Sequence, residues 1–336
     1  MSDFKAVIYS ECINHDESIE EDAEAVHAEM TSNHSDVPLT ALRLDDGEEI
    51  IEAASVQSTR RINVYENIPF AGGDGDYSIL SVIAGPHSIG EGIFSFLTMI
   101  DSNKVRVQCV ECRNAVKDFP WMDDESRITG SVKAWRAAFP VARKVNVSRR
   151  DDIVDADFVH IRGDARRVRL HTVHMYRCKL VTDAAFVQLR GIHTLDMSGC
   201  NQATITDAAF VHLRGIHSLY MGGCNQVTIT EEAFVNLRGI NLLYMWNCDQ
   251  ETITDAAYAH LRGIHKLDMS GCTQETITDA AFVHLRGIHS LDMNRCNQMT
   301  ITEAAFSPLR GIHTLETDYC SPIIQYAAAL LAESVS

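Results

Sequence analysis

The sequence predicts an α/β solenoid, with short parallel strands stacked along a concave face and helices along the opposite, convex face. A small helical module and an acidic N-terminal segment are expected to precede it. Three observations carry that expectation. Cysteine recurs at Cys200, Cys224, Cys248, Cys272, Cys296 and Cys320, a step of 24 residues. Glycine keeps the same step at Gly191, Gly215, Gly239, Gly263, Gly287 and Gly311. So does an aromatic, at Phe186, Phe210, Phe234, Tyr258, Phe282 and Phe306. A fixed step of this size marks one supersecondary unit stacked on its own copies.

Within one period, Leu195 and Met197 alternate with Thr194, Asp196 and Ser198, the pattern of a half-buried strand. A turn follows through Gly199 to Gln202. Thr206 then stands where an N-cap belongs, and Asp207 offers a carboxylate to the positive end of a helix. Ala209, Phe210 and Leu213 are spaced for one inward face. Arg214 is expected on the last turn, with Gly215 in the left-handed position that ends helices. A helix of about nine residues spans roughly 13 Å. Strands stack about 4.8 Å apart while helices need about 8–10 Å, so the stack bends with its strands on the inner curve.

The string Ile192, Leu195, Met197 and Cys200, followed by Ile205-Thr206-Asp207, Phe210 and Leu213, resembles the cysteine-containing class of leucine-rich repeats. The resemblance runs from about residue 178 to 320, with Met where the family usually has Leu and a slightly shorter step. It implies a horseshoe in which the repeat cysteine is buried and its thiol hydrogen-bonds the following loop.

Composition narrows the function. The net charge of −17 is uneven: residues 1–52 hold 15 acids against Lys5 and Arg43, leaving −4 for residues 53–336. A binding surface for nucleic acid is therefore disfavoured. The sequence contains no run of 18 apolar residues and no signal-peptide order at its start, so no membrane partner is expected and the cytoplasm or nucleus is the expected compartment. Seven of the ten cysteines, counting Cys178, occupy one position of the repeat. They are expected as packed thiols rather than disulfides.

Taken in order, residues 1–85 form an acidic segment of unknown fold, with candidate strands at Phe4–Tyr9, Leu39–Leu44 and Arg61–Tyr65 and a candidate helix at Ser18–Met30. In residues 86–121, Ile93-Phe94-Ser95-Phe96-Leu97 is apolar, Asp101-Ser102-Asn103 caps the next segment, and Val105 to Val116 has helical spacing before Trp121. With Pro86, Val107, Cys109 and Cys112 this stretch resembles an F-box. The resemblance implies docking onto a Skp-type adaptor of a cullin ubiquitin ligase through Pro86, Ile93, Phe94 and Leu97. Cys109 and Cys112 have no second ligand pair nearby and are expected to face the helical core. Residues 122–177 comprise a linker, an N-terminal cap and a divergent first repeat, with a helix at Ser131–Phe139, a strand at Val145–Val147, a helix end at Asp157–Gly163 and a bulge near Arg166-Arg167. Repeats of 24 residues fill 178–320, and a capping helix from Pro322 closes the chain over 321–336, with Ala327, Leu330 and Leu331 on its inner side.

Two columns on the inner curve change while their frame stays nearly constant. One reads Asp196, Tyr220, Tyr244, Asp268, Asp292, Glu316; the next reads Ser198, Gly222, Trp246, Ser270, Asn294, Asp318. Tyr220, Tyr244 and Trp246 form an aromatic group, and Asp268, Asp292, Glu316 and Asp318 continue it as an acidic strip beside Asn294. Aromatics beside charge favour protein binding, here of a protein target with a basic or mixed segment; large strand residues also stabilise a sheet by cross-strand contact. The stacked histidines, among them His193, His217, His265, His289 and His313, lie in a line rather than around a point, so they read as surface residues and not a metal site. The Arg190–Arg310 column reads as helix-end charge paired with Asp207-type residues. No phosphate loop, HExxH or GxSxG pattern is present and no cofactor is implied, so the expected protein is a non-enzymatic substrate receptor or, failing adaptor binding, a scaffold.

Overall fold

The computed structural model describes residues 51–52, 61–62, 98–99, 102, 110–123, 126–164, 166 and 169–333. The chain divides into two units, Met1–Phe119 and Pro120–Ser336. In the first, β1 (Ile51–Glu52) pairs antiparallel with β2 (Arg61–Ile62), and α1 spans Val110–Asp118 with Val116 buried. The described part of the helix expected over 105–116, from Val110 on, continues to Asp118. β2 coincides with the start of the strand expected at Arg61–Tyr65, whereas Ser102, expected in a cap, is itself helical, its N–H donating to Thr98 O at 3.0 Å and its Oγ to Met99 O at 2.8 Å. The other expectations for residues 1–109, including Pro86, Ile93, Phe94 and Leu97, lie outside the described residues.

The second unit is one sheet of eight parallel strands in chain order. They are β3 (Lys144–Asn146), β4 (Thr172–His174), β5 (Thr194–Asp196), β6 (Ser218–Tyr220), β7 (Leu242–Tyr244), β8 (Lys266–Asp268), β9 (Ser290–Asp292) and β10 (Thr314–Glu316). The register has no slip: Leu195 faces Leu219, Tyr220 faces Tyr244, and Asp268 faces Asp292. A slip of one residue would turn every buried leucine outward, so the pattern enforces the alignment. Backbone pairing continues past each strand, as in Met197 N–H to Tyr220 O and Gly199 N–H to Gly222 O, both 2.8 Å.

The outer segments are shorter than a nine-residue helix. In the 205–221 unit a single α-turn, Asp207–Phe210, gives way to a 3-10 turn, Val211–Leu213, and Arg214 already has extended backbone at φ −54° and ψ 127°. Residues three apart eclipse in a 3-10 turn, which brings Leu213 in line with Phe210 toward the core. Phe210 is fully buried and Leu213 is 1% exposed. Gly215 does take the left-handed conformation, at φ +79°.

Polar ladders bolt neighbouring units together. Thr206 caps its own turn by accepting from Ala208 N–H, as expected. The Asp207 carboxylate, by contrast, reaches forward and accepts from Thr230 N–H and Oγ1 at 2.8 Å each. The same clamp links Asp183 to Thr206, Asp255 to Thr278 and Asp279 to Thr302. With those carboxylates engaged, the arginines turn elsewhere: Arg190, Arg238 and Arg262 donate to His212, His260 and His284, and Arg214 donates to Asn236. The expected arginine–aspartate pairing is thereby corrected.

The seven repeat cysteines are free and buried. Their thiols bond backward, not to the following loop: Cys200 Sγ donates to Met175 O at 3.1 Å and Cys248 Sγ to Met221 O at 3.2 Å. The previous unit's turn presents that carbonyl directly above the sulfur, and the loop ahead is served instead by a buried glutamine. Gln226 and Gln250 donate to the carbonyls of Cys200 and Cys224.

At the N-terminal end, helix α2 (Val132–Ala138) is capped by Ser131 and packs on α3 (Asp157–Arg162). Arg136 on α2 donates to the carbonyls of His160, Ile161, Phe139 and Ala142, closing the exposed end of α3, and burial pulls its guanidinium down to about 10. The stretch between α3 and β4, where the bulge was expected, carries no regular element among its described residues. The C-terminal helix α4 runs Pro322–Glu333. Ala327 and Leu331 face inward, but Leu330 is 43% exposed, because Ile324, Ala327 and Leu331 complete the inner stripe without it.

Candidate protein-binding face

The two variable columns stand side by side on the strand face. The first column ends each strand; the second begins the turn two residues later, with a buried methionine between (Met197, Met221, Met245, Met269, Met293). Period-two alternation therefore places both columns on the same side of the sheet.

Tyr220 and Tyr244 stack across β6 and β7, with ring centroids 4.4 Å apart and planes 5° from parallel. Both are half-buried. Lys266 Nζ sits 5.3 Å from the Tyr244 ring centroid, a cation–π contact at the aromatic group's edge. Burial, with Tyr244 adding to it, pushes the Tyr220 hydroxyl above its ordinary pKa. Trp246, also half-buried, lies against the preceding unit where Gly222 leaves room: a Cβ there would meet Trp246 Cε2 at 2.2 Å. So the aromatic group is a cross-strand stabiliser and an accessible surface at once.

The acidic strip begins one strand on. Asp268, Asp292 and Glu316 occupy adjacent strands in register. Asp268 Oδ1 accepts from Ser270 N–H at 2.9 Å and from Ser270 Oγ at 2.7 Å. Asp292 Oδ1 accepts from Asn294 N–H at 2.9 Å, and Asn294 Nδ2 donates to Glu316 Oε2 at 3.1 Å. Asp318 N–H donates to Asn294 Oδ1. Burial pushes the Asp292 pKa up, with Asp268 and Glu316 adding like charge and the Asn294 bond and Lys266 opposing.

A third column escaped the sequence reading. The residue after the second column has left-handed backbone in every unit: Arg149, Arg177, Gly199, Gly223, Asn247, Gly271, Arg295 and Tyr319. Glycine takes this conformation freely, whereas other residues pay on the order of 1 kcal/mol. Arg149 and Arg177 sit over Tyr176 at 5.4 and 5.1 Å, and Arg295 over Tyr319 at 5.7 Å. The signal was available, since the small pairs Ser198-Gly199, Gly222-Gly223 and Ser270-Gly271 share their repeat position with the bulky pairs Trp246-Asn247, Asn294-Arg295 and Asp318-Tyr319.

Where the small pair Ser270-Gly271 falls between bulky neighbours, the face sinks into an open cavity of about 300 Å³ bounded by Trp246, Asn247, Asn294, Arg295, Asp318 and Tyr319. At the opposite edge of the strands the histidines form a flat ladder. His171, His193 and His217 stack at 4.3 and 4.4 Å, and His265, His289 and His313 at 4.5 and 4.6 Å, with Asn241 bonded to His217 between the two runs. Among the described residues no group of three or more histidine, cysteine or acidic side chains is arranged to hold a metal ion. Among them, too, no helix is long and apolar enough to cross a membrane.

No protein-family model and no curated protein sequence matches the chain. Solved structures do. A TLR13–ssRNA13 complex aligns at 18% identity and TM-score 0.46, covering 56% of this chain and 26% of that one. The Drosophila Toll–Spätzle complex aligns at 11% identity and TM-score 0.46, covering 62% and 28%. Human 5T4 aligns at 17% identity and TM-score 0.43, covering 53% and 71%. The fold is a leucine-rich-repeat solenoid. Its eight in-register parallel strands, 24-residue step and buried cysteine ladder carry that statement.

Proposed function

We propose that this chain is a non-enzymatic substrate receptor, holding a protein target on its concave sheet and linking it to a cullin-type ubiquitin ligase through residues 86–121. The observation that carries the binding half is the accessible aromatic group Tyr220, Tyr244 and Trp246, set in a frame that otherwise repeats almost unchanged. A leucine-rich-repeat solenoid is a scaffold for protein–protein contact, and rigid strands hold such side chains at little entropic cost. Its role is proximity: the target is kept within reach of a transferring subunit. The cytoplasm or nucleus is the expected place of action.

The ligase half rests on the F-box resemblance of Pro86, Ile93, Phe94 and Leu97. The experiment is affinity capture of the full chain against Ile93→Asp/Phe94→Asp, with a Skp-type adaptor as the readout. Adaptor recovered with the native chain and lost with the variant supports the receptor reading. An adaptor recovered with neither leaves the other reading, a repeat scaffold without ligase connection. For the face itself, Tyr244→Ala and Trp246→Ala weaken the target captured by the native chain; unchanged affinity rejects the concave site.

A further inference from the structure

Three features meet at the cavity over Ser270 and Gly271. Its floor is the smallest side-chain pair of the C-terminal half, with the Asn247 amide over Gly271, and its walls are Trp246 on one side and Asn294, Arg295, Asp318 and Tyr319 on the other. One row inward run the carboxylates of Asp268, Asp292 and Glu316, each with one oxygen engaged by Ser270 or Asn294 and the other not committed by those bonds. Two cations share the neighbourhood, Lys266 over Tyr244 and Arg295, itself a wall of the notch, over Tyr319, so the four acids Asp268, Asp292, Glu316 and Asp318 still leave the site net negative. A volume of about 300 Å³ is at the small end for a ligand pocket and suits one long side chain rather than a cofactor.

We infer that this notch receives an arginine side chain from a basic, extended segment of the protein partner. The inference rests on the concave-face reading and names the chemistry recognised there. A guanidinium is planar, so it can lie on the Trp246 ring and present its N–H edge to carboxylates. Lysine offers a point charge without that flat face. The partner's charge order follows from the sheet: its basic end lies over β8–β10. Toward β3 and β4, Arg149 and Arg177 flank Tyr176 and favour neutral or acidic residues instead.

The test is fluorescence anisotropy with the full chain at about 150 mM salt, where the Debye length is about 8 Å and diffuse attraction is largely screened. The probes are fluorescein-labelled eight-residue peptides alternating Gly with Arg, Lys or Glu, and an oligouridine of twelve nucleotides. The Gly-Arg peptide binds most tightly, Gly-Lys several-fold more weakly, and Gly-Glu and the RNA not measurably. Ser270→Lys, which fills the notch with a like charge, weakens Gly-Arg binding at least tenfold. Asp268→Asn/Asp292→Asn does the same while keeping both oxygens that accept from Ser270 and Asn294. Attraction to the acidic residues 1–52 is equal in all three proteins, so it cannot produce these differences. Affinities within twofold across native and variants, no binding by the native chain, or RNA binding ahead of Gly-Arg would each overturn the inference. The concave-face reading fails separately, when a captured target stays bound to Tyr244→Ala and Trp246→Ala.

Discussion

Gly222→Ala tests whether Trp246 is held as a flat platform on the sheet. The added Cβ would stand 2.2 Å from Cε2, 2.3 Å from Nε1 and 2.5 Å from Cδ2, where ordinary contact begins near 3.4 Å. The indole must therefore lift by about 1 Å or swing off. Gly222 lies outside the left-handed region, so alanine is unstrained there and gains about 0.4–1 kcal/mol by restricting the unfolded chain. Against that, an aromatic buries about 150–250 Å²; re-exposing about 60 Å² at about 25 cal/mol per Å² costs about 1.5 kcal/mol. The net is a loss of about 0.5–1 kcal/mol, close to the noise of a melt. The optical change is larger. Trp121 and Trp135 are 1% and 5% exposed, so acrylamide quenching reports chiefly on Trp246. Gly222→Ala raises the quenching constant and shifts emission to the red, and Trp246→Phe abolishes that component. Quenching and emission identical to the native chain would refute the platform.

Further expectations concern the frame. Tyr258 is fully buried where the other units carry Phe, and its hydroxyl finds only Met269 Sδ, at 3.7 Å. Tyr258→Phe removes a poorly satisfied polar group and raises stability by about 1 kcal/mol in urea unfolding; a loss of similar size would contradict this. Burial pushes the Cys200 and Cys248 thiols up to about 12 and holds those of Cys224 and Cys272 well above their ordinary value. These four stay unlabelled by iodoacetamide at pH 8 in the folded protein, as mass spectrometry of the digest can check. Burial also lowers His193, His212, His260 and His289, helped respectively by His217, Arg190, Arg238 and His265. Between the folded values and the ordinary 6.5 the unfolded chain binds more protons, so stability present above pH 6.5 is lost as pH falls through the folded values. The urea midpoint should drop between pH 7.5 and 5.5, and less so in His212→Asn/His260→Asn, because Asn236 already accepts from Arg214 at 2.9 Å. An equal drop in that variant would dismiss the arginine–histidine contacts as the cause.

Legibility in the sequence followed how local each cause was. The strands announced themselves because Leu195 and Met197 alternate with polar residues, and the Thr206 cap because a threonine before an acid and two alanines has one obvious use. The shortened outer turn did not, since nothing in Asp207–Leu213 itself prefers a 3-10 end; that choice is made by packing Leu213 under Phe210. The forward reach of Asp207 was equally hidden. Its partner Thr230 lies 23 residues away, and only stacked coordinates bring the two within bonding distance. The binding columns were legible as variation inside one chain, whereas the notch required knowing that Trp246 leans back over Gly222 while Ser270 stays uncovered. The candidate adaptor residues could be named by resemblance alone, because glycines at Gly85, Gly90 and Gly92 leave that stretch with weak local preference.

The unit Ile205–Met221 and the unit Ile277–Met293 differ at a single position, Tyr220 against Asp292. The same backbone, core and ladders thus support either side chain, which separates the residues that build the stack from those that face a partner. The two exchanges should nonetheless have opposite signs. Tyr220→Asp forfeits the ring stack with Tyr244, worth about 0.5–1.5 kcal/mol, and sets a carboxylate beside Asp196. Asp292→Tyr removes the middle charge from the Asp268–Asp292–Glu316 row, where burial and two like neighbours already disfavour the charged form. It should therefore melt at or above the native temperature and lose affinity for a basic peptide. If Asp292→Tyr instead melted several degrees lower, the acidic row would be part of the frame, and its claim to be a surface kept for a partner would fall.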